Sequence, residues 1–299
     1  MMRCLRCSSP LIQDSCRECG WTVESIEGFD IFAPEYAQGG GGFESAYFAK
    51  LAKLESGNFW FQARSDLILW ALKKYGPEFK SFMEIGCGTG FVLSGVRREY
   101  PAAELLGSEI FIEGLRYASQ RLPNVRLVQM DARENPFVSE FDVIGAFDVL
   151  EHIEEDETVL RQMNAALRPN GTLLVTVPQH PWLWSSLDEY SHHHRRYTYS
   201  EISRKISAAG FRVVRATSFV SFLLPVMVAS RLLRRNKPVQ EIDVGEELEL
   251  PSLLNSIFGW ILRAEGVFIK AGLDLPLGGS RLVVARKIDS DAGRSRPSS

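Results

Sequence analysis

One run constrains the fold of this chain more than any other: Phe82-Met83-Glu84-Ile85-Gly86-Cys87-Gly88-Thr89-Gly90. It reads as a short buried strand entering a glycine-rich turn, with a helix beginning near Phe91. At such a turn glycines adopt positive φ and let the backbone approach a ligand closely, which makes it the entry to a nucleotide-type site. Downstream the pattern alternates. Strands are expected at about 81–85, 104–108 (ending at Glu109), 125–129, 141–147, 172–177, 211–216 and 281–285. Helices are expected from Phe91 to Tyr100, over 112–121 and 154–167, and from the capping box Thr198-x-x-Glu201 to Ala209 before Gly210. Pro169-Asn170-Gly171 reads as a turn before the fifth strand. Strand–helix alternation of this kind predicts an α/β fold, a mostly parallel sheet with helices on both faces.

Length and composition fit one large domain with a small one beside it. The 299 residues are 45% hydrophobic and 24% charged. The 34 basic and 37 acidic side chains leave a formal charge of −3, which argues against broad nucleic-acid binding, since that leaves a basic footprint. The N-terminus lacks the apolar core of a signal peptide. No apolar run reaches the ~18–20 residues of a spanning helix.

Four of the five cysteines lie in the first 19 residues, as Cys4-x-x-Cys7 and Cys16-x-x-Cys19. Paired CxxC knuckles without a secretory signal point to a metal in a reducing compartment. Cys4, Cys7, Cys16 and Cys19 complete a closed tetrahedral set, the pattern of structural zinc, and residues 1–24 resemble a zinc ribbon. The segment is too short to bury a core, so the metal is expected to supply its folding energy. Residues 25–57 read as a linker containing the flexible run Gly39 to Gly42. Asn58 caps a helix to about Tyr75, and Trp60, Phe61 and Arg64 at its start are placed as a lid or as packing. The main domain is expected over 58–288, with an apolar insertion at 218–279 before the last strand. The tail 289–299 is expected to be disordered.

Two ligands suit a glycine turn after a first strand. A dinucleotide wants G-x-G-x-x-G, with a pyrophosphate on the helix N-terminus. Here the glycines are 86, 88 and 90, and Phe91 stands where the third glycine belongs. Glu84 would repel a phosphate but favour a cationic amino-acid moiety.

Glu84-Ile85-Gly86-Cys87-Gly88-Thr89-Gly90 resembles the first motif of class I S-adenosylmethionine-dependent methyltransferases, E/D-x-G-x-G-x-G. The resemblance continues through Glu109, Asp131-Ala132, 147–152 (Phe-Asp-Val-Leu-Glu-His) and the turn 167–171, and covers roughly 58–287. It implies a Rossmann-like sheet and S-adenosylmethionine as cofactor. Glu109, followed by Ile110, would bind the ribose hydroxyls, and Asp131 with the Ala132 amide the adenine. Gly86, Cys87, Gly88 and Gly90 would cradle the methionine moiety, with Glu84 supporting the turn or the ammonium. Asp148 would face the methionine end and the acceptor. Glu151 and His152 are given structural roles.

S-adenosylmethionine carries its own electrophile, so the protein must align a nucleophile and exclude water. The stretch after strand five holds the acceptor-side candidates. His192 to Thr198 resembles the H-x-R-R-Y-[ST] element of a bacterial subgroup, which makes His193 the expected base or substrate contact; His180 is the second catalytic candidate. Alternatively His193 and Arg196 pin the loop to the sheet. The insertion is nearly all apolar over 219–229 and amphipathic over 253–275, with Arg231, Arg234, Arg235 and Lys237 between. An apolar patch bordered by arginines, too short to span, suits an anionic membrane surface or a greasy substrate; a buried hairpin or a dimer interface is the other reading. Related bacterial sequences resemble enzymes of envelope glycan or lipid-linked pathways. The expected function is methyl transfer to oxygen of a small or lipid-linked acceptor, in the cytoplasm with a peripheral contact on the inner membrane face. The alternative is an RNA methyltransferase docking RNA through its zinc ribbon, although nucleic acid is the less expected partner. A binding module that kept the fold without the catalysis is a third.

Overall fold

The computed structural model describes residues 1–12, 14–37, 45–76, 78–234 and 250–289. The run Gly39 to Gly42, the cations Arg235 and Lys237 and all of the tail but Asp289 lie outside the described residues.

In chain order the elements are β1 (Glu24–Ile26), β2 (Phe29–Ile31), α1 (Pro34–Ala37), α2 (Ser45–Leu54) and α3 (Phe59–Tyr75). Then come β3 (Ser81–Ile85), α4 (Phe91–Glu99), β4 (Glu104–Glu109), α5 (Ile112–Arg121), β5 (Arg126–Gln129) and β6 (Phe141–Phe147). They are followed by α6 (Asp156–Ala166), β7 (Leu167–Pro178), α7 (Ser186–Tyr190), α8 (Tyr199–Ala208) and β8 (Phe211–Phe219). α9 (Leu224–Arg234), α10 (Ser252–Lys270) and β9 (Ser280–Lys287) complete the described chain. The strands form one sheet in the order β1-β2-β5-β4-β3-β6-β7-β9-β8. β2 through β7 run parallel; β1 joins β2, and β9 joins β7 and β8, antiparallel. The α/β, mostly parallel architecture matches the expectation from the alternating pattern.

β3 shows how the pattern becomes two layers. Its side chains alternate between faces, as in any strand. Phe82 joins a cluster with Leu67, Ile68, Ala71 and Leu72 of α3, Leu93 of α4 and Leu115 of α5. Met83 and Ile85 join the opposite cluster, with Val159, Leu160 and Met163 of α6 and Ile202 and Ile206 of α8. A strand covered on both faces is buried along its whole length, as β3 is. From β3 the sheet grows one way through β4 and β5 and the other way through β6 and β7, so the chain order reverses at the end of β3. Open α/β sheets bind ligands at such a switch point, outside the carboxyl ends of the strands.

Several elements differ from expectation. Residues 25–57 are more than a linker: β2 pairs in parallel with β5 through Asp30↔Val128 and Ile31↔Gln129. The Gln129 side chain then clamps Ala33 by accepting from its N–H at 3.0 Å and donating to its carbonyl at 2.7 Å. Pro169-Asn170-Gly171 lies inside β7 as a bulge, where the register jumps from Phe141↔Leu167 to Val143↔Thr172. The helix expected over 154–167 starts at Asp156, after a 3₁₀ turn at Leu150–His152. In the insertion, α10 is 19 residues long with a mean hydropathy of 1.2, which by length and composition is enough to cross a membrane. That corrects the expectation of a stretch too short to span. α10 lies against α3, with the Phe59 and Phe258 rings 5.4 Å apart and the Phe59 N–H donating to Asn255 at 3.0 Å.

Candidate active site

The turn after β3 needs its glycines. Gly86 has φ +66°, and a Cβ there would stand 2.5 Å from Val149 Cγ2. Gly88 has φ +52° with nothing within 4 Å of a Cβ, so its backbone faces open space. The Gly88 N–H donates to Glu109 Oε2 at 3.0 Å, while Glu109 Oε1 accepts from the N–H groups of Ile110 at 2.8 Å and Phe111 at 3.3 Å. The carboxylate therefore ties the turn to the end of β4. Burial raises the pKa of Glu109, and these three amides work against that rise.

The remaining strand ends converge on the same space. Asp131 follows β5, and its carboxylate is gripped by Arg133, whose Nε and Nη2 donate to Oδ2 at 2.9 and 2.7 Å. Arg133 also reaches Glu155 at 3.1 Å and the Tyr36 hydroxyl at 3.2 Å. Asp148, after β6, accepts from Thr176 Oγ1 at 3.1 Å and pairs with Arg64 of α3. Arg64 lies 4.6 Å over the Trp60 ring. The start of α3 is thus brought to the site, as a lid requires. Glu84 is buried, and its Oε2 has no hydrogen-bond partner. Burial first of all pushes its pKa up to about 8. Cys87 is buried in the turn, and burial pushes its thiol well up, so it supplies packing and not a nucleophile.

These residues line one cavity of about 870 Å³, which continues past Asp148 to the histidine loop. There His193 Nδ1 and Asp188 Oδ1 are 2.9 Å apart. Asp188 is fully buried and also accepts from Arg196 Nε at 2.7 Å and the Ser185 N–H at 2.8 Å. Burial raises the Asp188 pKa, but His193 and Arg196 outweigh it and hold the carboxyl at about 2. An ionised carboxylate on Nδ1 selects the tautomer that leaves Nε2 as the working nitrogen of His193. The loop is pinned as well: the His194 N–H donates to the Glu151 carbonyl at 2.7 Å, and the Tyr197 hydroxyl to Asp156 at 2.7 Å. His152 meets His193 edge to face at 4.6 Å. Burial drives the His152 pKa down to about 3.

His180 and His193 are not brought together. His180 has φ +63°, stacks on Trp182 at 5.3 Å and contacts Gln179 Nε2 at 2.9 Å, and it is absent from the described cavity lining. Pro181 directly after it opens a 3₁₀ turn, Pro181–Leu183. Glu84, Gly86, Cys87, Gly88, Glu109, Ile110, Asp131, Ala132 and Asp148 all line the cavity; Gly90 sits behind it, at the start of α4. Sequence reasoning missed Arg133, whose spacing of two from Asp131 was the available clue. It also missed Glu55, which accepts from Thr89 Oγ1 at 2.6 Å and from Arg121 at 3.0 Å.

The residues fit S-adenosylmethionine on this geometry. Glu84 Oε2 is an orphaned buried acceptor, Glu109 is a carboxylate at the second strand end, and Gly88 leaves a cradle that a ligand can enter. At the N-terminus the Sγ atoms of Cys4 and Cys19 are 3.5 Å apart and those of Cys7 and Cys16 3.4 Å, all four within 4.8 Å. Thiolates bound ~2.3 Å from one tetrahedral ion lie ~3.8 Å apart, so the set fits structural zinc.

Residues 55–216 match the model of the family described as Methyltransferase domain. The chain is 29% identical over 127 residues to a trans-aconitate 2-methyltransferase of Azoarcus sp. (strain BH72), covering 42% of this chain and 48% of that protein. It is 30% identical over 104 residues to a malonyl-[acyl-carrier protein] O-methyltransferase of Halalkalibacterium halodurans, covering 32% and 38%. The chain thus spans about half or less of the length of these curated relatives. Among solved structures it resembles a phosphoethanolamine N-methyltransferase 2 of Haemonchus contortus, in complex with phosphomonomethylethanolamine and S-adenosylhomocysteine. That likeness has a TM-score of 0.54 at 19% identity and covers 82% of this chain and 58% of the other; it establishes the fold alone. With its glycine turn, its acidic strand ends and a family match over more than half of its length, the chain belongs to the methyltransferase domain family.

Proposed function

We propose that the protein transfers a methyl group from S-adenosylmethionine to an oxygen of a small or lipid-linked acceptor, at the inner face of the cytoplasmic membrane. The observation that carries the reading is the continuity of one cavity from the glycine turn and Glu109 to the His193–Asp188 pair. The cofactor, when bound, supplies a methyl group on a cationic sulfur. Glu109 would accept from the ribose hydroxyls and Asp131 from the adenine amino group. Arg64 and Asp148 border the methionine end, and Trp60 and Phe61 shield it from water. An alcohol acceptor must lose its proton as its oxygen attacks. His193, held in one tautomer by Asp188, would take that proton on Nε2. Oxygen as the accepting atom agrees with the name of the malonyl-[acyl-carrier protein] O-methyltransferase relative.

Support for a lipid-linked acceptor comes from Val220, Leu223, Val226, Met227 and Phe258, which line the cavity together with the polar Ser230 and Arg231. The outer surface nearby is apolar too, with Leu253, Trp260 and Val267 of α10 exposed. Cys4, Cys7, Cys16 and Cys19 would hold zinc as a closed folding staple with no position open for chemistry.

Transfer of labelled methyl to cell extracts, followed by solvent partition, tests this reading. Label in the organic phase or in small aqueous esters and ethers is expected. Label in RNA would overturn the acceptor class, and absence of transfer with cofactor bound would overturn the activity.

A further inference from the structure

The 3₁₀ turn after β6 and the histidine loop bring Glu151, His152 and His193 together at the wall of the cavity. One carboxylate oxygen and one ring nitrogen from each histidine lie within 4.8 Å of one another. Two ligands ~2.1 Å from one ion lie ~3.4 Å apart in tetrahedral geometry, so a modest side-chain rotation closes the set. Glu151 is 1% exposed, and its Oε2 has no hydrogen-bond partner. A buried acceptor left without a donor costs free energy unless something cationic or a proton satisfies it. Of the neighbouring guanidiniums, Arg64 gives Nη1 to Asp148 and Arg196 gives Nε to Asp188, and neither hydrogen-bonds Glu151 Oε2.

His193 is also oriented as a metal ligand is. His193 gives Nδ1 to Asp188, which leaves Nε2. The His152 ring packs edge to face on that of His193 and lines the same cavity. A carboxylate that holds the second ring nitrogen is the outer partner that metal-binding histidines commonly use. The backbone bond from His194 to the Glu151 carbonyl holds the two segments in register.

We propose that Glu151, His152 and His193 form a binding site for a first-row divalent cation, with Asp188 as its outer partner. Two imidazoles and a carboxylate, with further positions open to the cavity, suit Mn²⁺, Fe²⁺ or Zn²⁺, in contrast to the four-thiolate set at the N-terminus. Use of the ion in methyl transfer rests on the function proposed above. In the loaded protein His193 Nε2 would ligate the ion and so would not itself take the proton, and the ion would bind the acceptor oxygen. The hydroxyl proton would pass to water, the oxygen would bond the methyl carbon, and the carbon–sulfur pair would leave with sulfur.

Mn²⁺ titration of the full chain, its N-terminal thiolates first filled with zinc, tests the site with free Mn²⁺ read by electron paramagnetic resonance. Saturable binding is expected in the wild type, with nitrogen couplings on the bound ion. Glu151→Gln and His152→Asn should each weaken it about 10-fold or more, while calorimetry shows that both still bind S-adenosylmethionine. No saturable binding, binding without nitrogen couplings, or affinity unchanged in both variants would overturn the proposal. No acceptor or methyl transfer enters the measurement, so failure of the proposed reaction would leave a separate trace.

Discussion

Glu84 is the residue whose chemistry most sharply tests the cofactor site. Its folded pKa of about 8 lies well above the ~4.3 of an unfolded glutamate. The sign follows directly: its contribution to stability is full below the unfolded value and is lost as pH rises through about 8. The ammonium of S-adenosylmethionine would favour the ionised carboxylate. Cofactor binding at pH 7 should therefore release about one proton per chain, and affinity should rise with pH toward 8. Calorimetry in buffers of different ionisation enthalpy measures that release, and heats independent of buffer would remove Glu84 from ammonium binding. On the acceptor side, His193→Gln should lower kcat by about 10²- to 10⁴-fold with cofactor affinity unchanged; equal losses of both would make the residue structural. Asp188→Asn leaves Arg196 buried without its charge partner. It should cost about 3–5 kcal/mol, read as a lowered denaturation midpoint.

At the scale of elements, the insertion is the least ordinary part. α10 buries Gly259, Leu262, Glu265 and Ile269 and turns Leu253 (70% exposed), Trp260 (69%) and Val267 (66%) outward. Glu265 is not a stray charge, since it accepts from the N–H groups of Ser221 and Phe222, both at 2.7 Å, and so caps the start of the α9 segment. If the outward stripe meets a membrane, Leu253→Ser with Trp260→Ser should reduce cosedimentation with anionic vesicles while the melting temperature stays nearly constant. Undiminished cosedimentation would refute the membrane contact. The bulge in β7 and the three-residue strands β1 and β2 carry a different lesson. Pro169-Asn170-Gly171 has every mark of a turn, yet β6 pairs with Leu167 before it and with Thr172 after it, where β9 joins too, and it is absorbed within the strand. β1 and β2 are too short for a period of two to be read, and β2 owes its place to β5, far along the chain.

For the whole molecule, the N-terminal cysteine segment is docked and not an appendage. Met2 bridges to Phe137, the Arg3 N–H donates to the Pro136 carbonyl at 2.8 Å, and the Arg3 side chain reaches Gln162 at 2.6 Å. Trp21 lies 6.4 Å from Phe32, ring to ring. A metal that holds this segment folded also holds it against the stretch before β6 and against α6. Chelation should speed hydrogen exchange over 1–24 and around Phe137 and leave the exchange of β3 and β4 unchanged; protection unaltered over 1–24 would show that the thiolates need no ion.

By itself the sequence determined the alternating core from β3 to β7, the glycine turn and the carboxylates at successive strand ends. These are local matters, set by side-chain period, by positive φ at Gly86 and Gly88, and by distance along the chain from one strand end to the next. Apart from the neighbouring Arg133 on Asp131, only the tertiary structure decided what those carboxylates meet: Arg64 on Asp148, and no partner for Glu84 Oε2. It also separated His180 from His193 and set His193 beside Asp188, His152 and Glu151. The approach of His193 to His152 and Glu151 joins loops that no shared period links, and it exists because the sheet order brings the ends of β6 and β7 side by side.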